Sequence, residues 1–369
     1  MLKRLQIKNF KALKTADLAL GKLNLMAGIN GMGKSSLIQV LLLLKQSSDK
    51  LKSGTLNLND SEFIALGKGR DVFYQYSEDK HITFALENED KISKIWNFEY
   101  HADRENLQSK EQHSINLLKK NFNLFTDNFQ YLNAERIGPR QSYSSSTSTI
   151  ESRKQIGSKG EYAVHYLNVF GTSEKIQSEA LHHPKARSRS LIHEVDAWLG
   201  MISPGTKLNT TAVPGTEMVL LDVQFETNLD FTNRFRPVNV GFGISFVLPV
   251  IVALLMAKKD RLIIIENPEA HLHPRGQAEM GRLMALAAQS GAQIIAETHS
   301  DHILNGVRVA VKDGDLPKED ARIFFFDRKT TDFEQYSYVT SIKIDDKGEL
   351  SQYPPNFLDE WNNQLFKLI

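Results

Sequence analysis

The sequence predicts an α/β fold with a mixed sheet and an inserted helical and irregular lobe. Two observations carry this. The N-terminal end reads strand, strand, glycine-rich loop, leucine-rich helix, and from Gly241 onward helix and strand alternate three times. Between these ends lies a stretch of mixed pattern containing a Ser/Thr tract. Of 369 residues, 41% are hydrophobic and 24% charged, proportions of a folded globular protein rather than a disordered or fibrous one.

Each element has its own warrant. Leu2, Leu5, Ile7 and Phe10 space a half-buried strand, residues 23–27 (LNLMA) form a short apolar one, and residues 36–46 read as a helix. FIAL, HITFALE and KIWNFEY, between Thr55 and Tyr100, predict a small antiparallel sheet. Residues 101–128 are polar, helical or irregular, and 129–133 form an apolar strand leading into AERIGPR. QSYSSSTSTI has little core-forming power and is expected to be an exposed, mobile loop. Residues 162–170 and 191–199 have helical spacing, whereas VLLDVQFE and LDFTNRF read as strands. No heptad pattern persists, which argues against a long coiled-coil arm.

Charge and cysteine content exclude further classes. Forty-five Lys and Arg against 44 Asp and Glu leave a net charge of +1, so any nucleic-acid binding must come from a local patch. Zero cysteines remove disulfides, thiolate metal sites and Cys nucleophiles, and fit a reducing cytoplasm. The longest apolar run, 244–257, is too short to span a bilayer and contains Pro249; the basic N-terminus lacks a secretory apolar region. A soluble cytoplasmic protein with no membrane partner is expected.

The strongest chemical signal is GINGMGKS, residues 28–35, between an apolar strand and a helix. This is a P-loop: glycines let backbone N–H groups curl around phosphates, Lys34 reaches the β and γ phosphates, and Ser35 is placed to ligate Mg²⁺. Next comes RLIIIENPE, residues 261–269, a buried strand ending in Glu266. Ligands of open α/β sheets sit at the carboxyl ends of strands, which puts Glu266 in position to hold Mg²⁺ or its water. QIIAETHS, residues 293–300, is a strand ending in His299, a second candidate, although a lone strand-end histidine is more often structural. Finally, Gly241, Gly243 and Ser245 open the apolar helix, exposing backbone donors to an anion or merely permitting close packing.

Taken in order, these elements resemble the ATP-binding-cassette class of P-loop ATPases, in its soluble RecF/SMC-like branch that includes the overcoming-lysogenization-defect ATPases. The resemblance covers residues 1–50 and 236–312 and implies an ABC ATPase head. It assigns nucleotide binding to Asn30, Gly31, Met32, Gly33, Lys34, Ser35 and Ser36, a Walker B strand to 263–266, a D-loop to 270–274, a Q-loop region to Arg136 and Arg140, and the switch histidine to His299. The implied domains are 1–135, the N-terminal half of the head; 136–238, the inserted lobe; 239–330, the C-terminal half; and 331–369, a tail similar to a short C-terminal domain of unknown function, with Tyr353 and Leu358 replacing that domain's usual Trp and Phe. ATP and Mg²⁺ are the implied cofactors. The signature at Gly241, Gly243 and Ser245 is implied to complete a second subunit's site, hence a head-to-tail homodimer.

Two departures bear on chemistry. The acid that usually follows Walker B and activates water is Asn267 here, and an amide cannot accept that proton. Either Glu269 serves as base, or hydrolysis is slow and ATP acts as a clamp. The signature also has Gly241 where a serine is usual, leaving Ser245 or backbone N–H groups to serve.

Weaker signals remain. His271 and His273 invite a zinc reading but fall in the D-loop; Lys185, Arg187 and Arg189 lie in an acid-free run that offers a partner or nucleic-acid patch, extended by Arg153, Lys154 and Lys159, or is simply an exposed basic turn. Seventy residues follow His299, and Asp345–Asp346 is thin evidence for metal-dependent cleavage, so a nuclease or toxin effector is expected on another chain. The expected function is an ATP-hydrolysing sensor or regulator of bacterial anti-phage defence. The alternatives are a RecF-type DNA-maintenance ATPase and an ATP-clamped scaffold with little turnover.

Overall fold

Alternating burial builds the first strands. In the computed structural model, which describes residues 1–357 and 364–368, β1 (Leu2–Phe10) and β2 (Leu13–Ala19) pair antiparallel with Leu5 opposite Leu18. Then come β3 (Leu23–Gly28), α1 (Lys34–Gln46), β4 (Thr55–Asn57), α2 (Gly69–Val72), β5 (His81–Asn88), β6 (Ser93–Glu99), β7 (Asn106–Ser109) and α3 (Ile115–Asn121). The chain continues through β8 (Phe129–Leu132), β9 (Tyr143–Ser144), α4 (Ala163–Phe170), α5 (Leu191–Ile202), β10 (Thr206–Ala212) and β11 (Met218–Phe225). It then alternates through α6 (Phe242–Leu255), β12 (Leu262–Glu266), α7 (Pro274–Gln289), β13 (Gln293–Glu297) and α8 (Asp301–Lys312), and ends with β14 (Ala321–Thr330) and β15 (Gln335–Ile342).

These elements form two compact units. The first comprises residues 1–126, 322–343 and 350–369; the second, 127–321 and 344–349. In the first, strands lie in the order β4-β7-β6-β5-β1-β2-β15-β14-β3, a mixed sheet in which β15 runs parallel to β2 and antiparallel to β14. In the second, β8, β12 and β13 pair in parallel, with Ile264 opposite Tyr131 and Ile295. Strands β10, β11 and β9 make a separate antiparallel sheet in that unit. Parallel strands covered on both faces must be apolar throughout, and Leu262, Ile263, Ile264 and Ile265 are all fully buried.

Four details depart from the sequence reading. Strand β2 is additional: Leu13, Ala16 and Leu18 are buried and Lys14, Thr15, Asp17 and Ala19 exposed, so the alternation holds only over 16–19 and is too short to read from the sequence. FIAL forms one isolated bridge, Asn59 to Ala65, inside a tight loop. LDFTNRF likewise makes only the bridges Glu226–Phe231 and Val223–Phe235, because Thr227 Oγ1 takes the N–H of Asp230 and closes a turn. The Ser/Thr tract is not wholly exposed. Tyr143 pairs with Val219, Ile150 is fully buried, and Ser146 N–H donates to His165 Nδ1 at 3.1 Å.

Leu358, part of the tail reading, lies outside the described residues. Among the described residues no helix is long and apolar enough to cross a membrane.

Candidate nucleotide site

The first unit holds the P-loop, between β3 and α1. Gly28, Gly31 and Gly33 have φ values of 134°, 78° and 95°, a backbone that side chains rarely permit. At Gly28 a Cβ atom would lie 2.3 Å from the Phe326 carbonyl oxygen, so glycine is required twice over. Gly33 caps α1 without any side-chain acceptor, and the first turn of α1 carries no acid. Such a turn suits an anion, since a capping carboxylate would occupy the same donors. Lys34 is 3% exposed, and its Nζ donates to the carbonyls of Gly28 at 2.7 Å and Ile29 at 2.9 Å, which holds the ammonium across the loop. Asn30 and Gly31 are exposed, Met32 and Ser35 half-buried, and Ser36 is buried.

Strands β14 and β15 brace this loop. Arg328 reaches the Gly31 carbonyl at 3.4 Å, and Ser337 Oγ lies 3.1 Å from where a Gly33 Cβ would stand. Both residues escaped the sequence reading. They lie some 300 positions away along the chain, and no local pattern ties them to a phosphate loop.

The second unit holds the acidic strand end. Glu266 closes β12, and its Oε1 accepts a hydrogen bond from Tyr131 of β8 at 2.8 Å. Burial pushes the Glu266 carboxyl above its ordinary range, against the opposing effects of Tyr131, the Ala134 backbone and Arg136. Asn267 follows in the left-handed region, φ 46°, with its N–H on the Glu297 carbonyl at 2.8 Å. Asparagine tolerates that conformation better than most side chains.

Arg136, at 4% exposure, binds carbonyls alone. Its Nε donates to Phe246, Nη1 to Asn133 and Glu266, and Nη2 to Asn267. Burial lowers its pKa to about 10, with Glu269 and Glu266 opposing. One guanidinium therefore ties α6 to the end of β12.

Glu269 does not stand free beside Asn267. Its two oxygens accept from Thr298 Oγ1 at 2.9 Å and from the His299 N–H at 2.7 Å, fixing the end of β13. The His299 side chain is exposed. Gly241 is the exposed N-cap of α6, and Gly243 packs so that a Cβ would lie 2.8 Å from the His271 carbonyl. Ser245 is buried, at 4% exposure, and Gly241 is the exposed part of this turn.

The remaining signals resolve as follows. His271 packs on Phe246 with ring centroids 4.5 Å apart, and His273 Nδ1 caps α7 through the Arg275 N–H. Arg189 pairs with Glu179, Lys154 with Glu174 and Lys159 with Glu135, all in solvent-exposed ion pairs. Asp345 accepts the N–H groups of Lys347 and Glu349, each at 2.8 Å, as a turn residue does. Arg140 donates its backbone N–H to the Tyr143 hydroxyl.

A glycine-cradled phosphate loop heading a helix, together with an acid-ended parallel strand, defines a P-loop ATPase of the ABC-head type. The chain belongs to the family described as "AAA domain, putative AbiEii toxin, Type IV TA system", which matches residues 23–305; a second match, "Protein of unknown function (DUF3696)", covers residues 316–368. It is 22% identical over 327 residues to the OLD nuclease of Thermus scotoductus, an alignment covering 81% of this chain and 59% of that protein's length.

Two solved structures share the fold at TM-scores of 0.53 and 13% identity. One is an Smc head bound to the C-terminal winged-helix domain of ScpA, covering 92% of this chain and 98% of that one. The other is an Smc head with an extended coiled coil, bound to the C-terminal domain of ScpA derived from Pyrococcus furiosus, covering 100% and 99%.

Proposed function

We propose that this protein binds and hydrolyses ATP with Mg²⁺ and couples the nucleotide to a separate effector, a nuclease or toxin, in bacterial anti-phage defence. The observation that carries the ATP reading is the backbone of residues 28–33, three glycines at positive φ ahead of an acid-free helix start, with Lys34 drawn across it. In this reading Asn30 to Ser36 hold the phosphates, and Ser35 and Glu266 hold Mg²⁺, which would neutralise developing phosphate charge. His299 and the Gly241 turn act on the nucleotide, the latter from a second subunit in a head-to-tail dimer. The amide at Asn267, which cannot accept a proton from water, favours slow turnover, in which bound ATP mainly sets dimer geometry.

A separate partner protein is supported by analogy of fold: both similar heads were solved with a domain of ScpA bound. The defence role is supported by the family description and by the likeness to an OLD nuclease. Phosphate release by the wild type and its loss in Lys34→Ala and Glu266→Gln test the enzyme. Full phage restriction by this chain expressed alone would overturn the separate effector.

A further inference from the structure

Helix α5 has two faces. Leu191, Glu194, Val195, Trp198 and Leu199 are buried, and the carboxylate of Glu194 is satisfied by His182 Nδ1 at 2.5 Å and the His183 N–H at 2.9 Å. The opposite stripe, His193, Asp196, Ala197, Gly200 and Met201, lines a cavity of about 290 Å³ closed by the start of β10, Glu226 at the end of β11, and the loop before α5. Gly200 is the opening in that stripe: a Cβ there would meet nothing within 4 Å. Glycine inside a helix is locally unfavourable by about 1 kcal/mol relative to alanine, so this position keeps space at the expense of helix propensity.

The walls carry charge of both signs, three cations against Asp196 and Glu226. Lys185, Arg187 and Lys207 surround the cavity, and among the described residues none of their side chains pairs with a carboxylate. Lys207 Nζ and the Arg187 guanidinium instead lie 4.7 and 5.7 Å from the centre of the Phe231 ring. Two cations clasping one aromatic ring form a positive wall with an apolar floor. Asp196 Oδ1 accepts the Leu208 N–H at 2.9 Å, which fixes the carboxylate on this wall.

We propose that this cavity binds a single nucleotide unit, its phosphate held by Lys185, Arg187 and Lys207 against the opposing charge of Asp196, and its base against the Phe231 floor. The volume lies at the lower edge of small-ligand pockets, roughly 300–1,000 Å³, enough for one nucleotide but not for duplex nucleic acid. The source is either a free nucleotide or the end of a single strand. The site is built entirely within the second unit and does not depend on ATP turnover by the P-loop, which belongs to the first.

Asp196 supplies a pH signature. Burial raises its pKa to about 6, opposed by the Leu208 N–H and by Lys207 and Arg187. Lowering the pH through 6 removes the Asp196 charge from a wall that also carries Lys185, Arg187, Lys207, His193 and Glu226. Phosphate binding therefore strengthens on acidification, and Asp196→Asn removes the Asp196 share of that dependence.

Calorimetry on the full chain carrying Lys34→Ala, which disables the P-loop, is the test. The two probes are AMP and a 5′-phosphorylated single-stranded hexadeoxynucleotide, at low salt and at pH 5.5 and 7.5. At least one probe is expected to bind, and Lys207→Glu or Arg187→Glu to weaken it by about tenfold or more, the worth of one charge-assisted contact. Gly200→Leu fills the cavity without altering charge and is a better helix former, so it should abolish binding in a folded protein. Asp196→Asn should tighten binding at pH 7.5 and reduce the pH dependence. AMP binding alone assigns a free nucleotide, and hexamer binding alone a strand end. Absence of binding by both probes, or equal binding in wild type, Gly200→Leu and Lys207→Glu, overturns the proposal.

Discussion

Individual residues in this protein are decided by what their atoms must satisfy. Arg136 is a buried cation with no carboxylate partner, and four carbonyls from Asn133, Phe246, Glu266 and Asn267 depend on it. Truncation to alanine strands those acceptors, so Arg136→Ala is expected to cost about 3 kcal/mol or more, read as a lowered midpoint in urea; Arg136→Lys, unable to reach them all, should fall between. If Arg136→Ala unfolds like the wild type, the tie is unimportant. Gly28→Ala meets both a φ of 134° and a carbonyl at 2.3 Å, and should lose more than about 2 kcal/mol together with nucleotide binding. Glu269→Gln separates two roles. If Glu269 only positions Thr298 and His299, the amide retains one acceptor and phosphate release should persist, whereas a general base would be silenced.

At the scale of elements, α5 sets a balance between packing and charge. Its inward carboxylate, Glu194, is fully satisfied, but Asp196 on the outward stripe is held near pKa 6 from an ordinary 3.8. A raised acid binds its proton more tightly folded than unfolded, so between pH 4 and 6 the native state carries the extra proton and stability falls as pH rises. Above pH 6 the loss is complete, on the order of 3 kcal/mol. Asp196→Asn should therefore melt higher than the wild type at pH 7.5 and show a flatter profile between pH 4 and 6; identical profiles would remove Asp196 from the account. The Ser/Thr tract shows the converse, an unpromising composition held in place by its neighbours. Tyr143 and Ile150 are buried, and a histidine on α4 fixes Ser146. Hydroxyl-rich residues carried no sign of this, because the anchoring partners come from β11 and α4.

For the molecule as a whole, the proposed dimer makes a prediction of its own. Mg-ATP should shift wild type toward dimer in gel filtration, and Lys34→Ala, which loses the phosphate contact, should stay monomeric; an invariant monomer in the wild type would reject ATP-controlled pairing. How much of this was legible follows from distance along the chain. The P-loop and the strand ending at Glu266 were readable because glycines, lysine and apolar run are contiguous, and a motif of eight residues carries its own backbone requirement. FIAL and LDFTNRF misled because side-chain hydrogen bonds and turns competed with ladder formation over a few residues. The sequence by itself determined the alternating α/β order, the phosphate loop and the acid at the end of β12. Only the tertiary structure decided that Arg136 clamps carbonyls up to 131 positions away, that β14 and β15 brace the glycine loop, that Ser245 is buried, and that Lys185, Arg187 and Lys207 face one cavity. Local propensity acts over a few residues, whereas burial and unpaired charge are set by whichever distant segments the fold brings together.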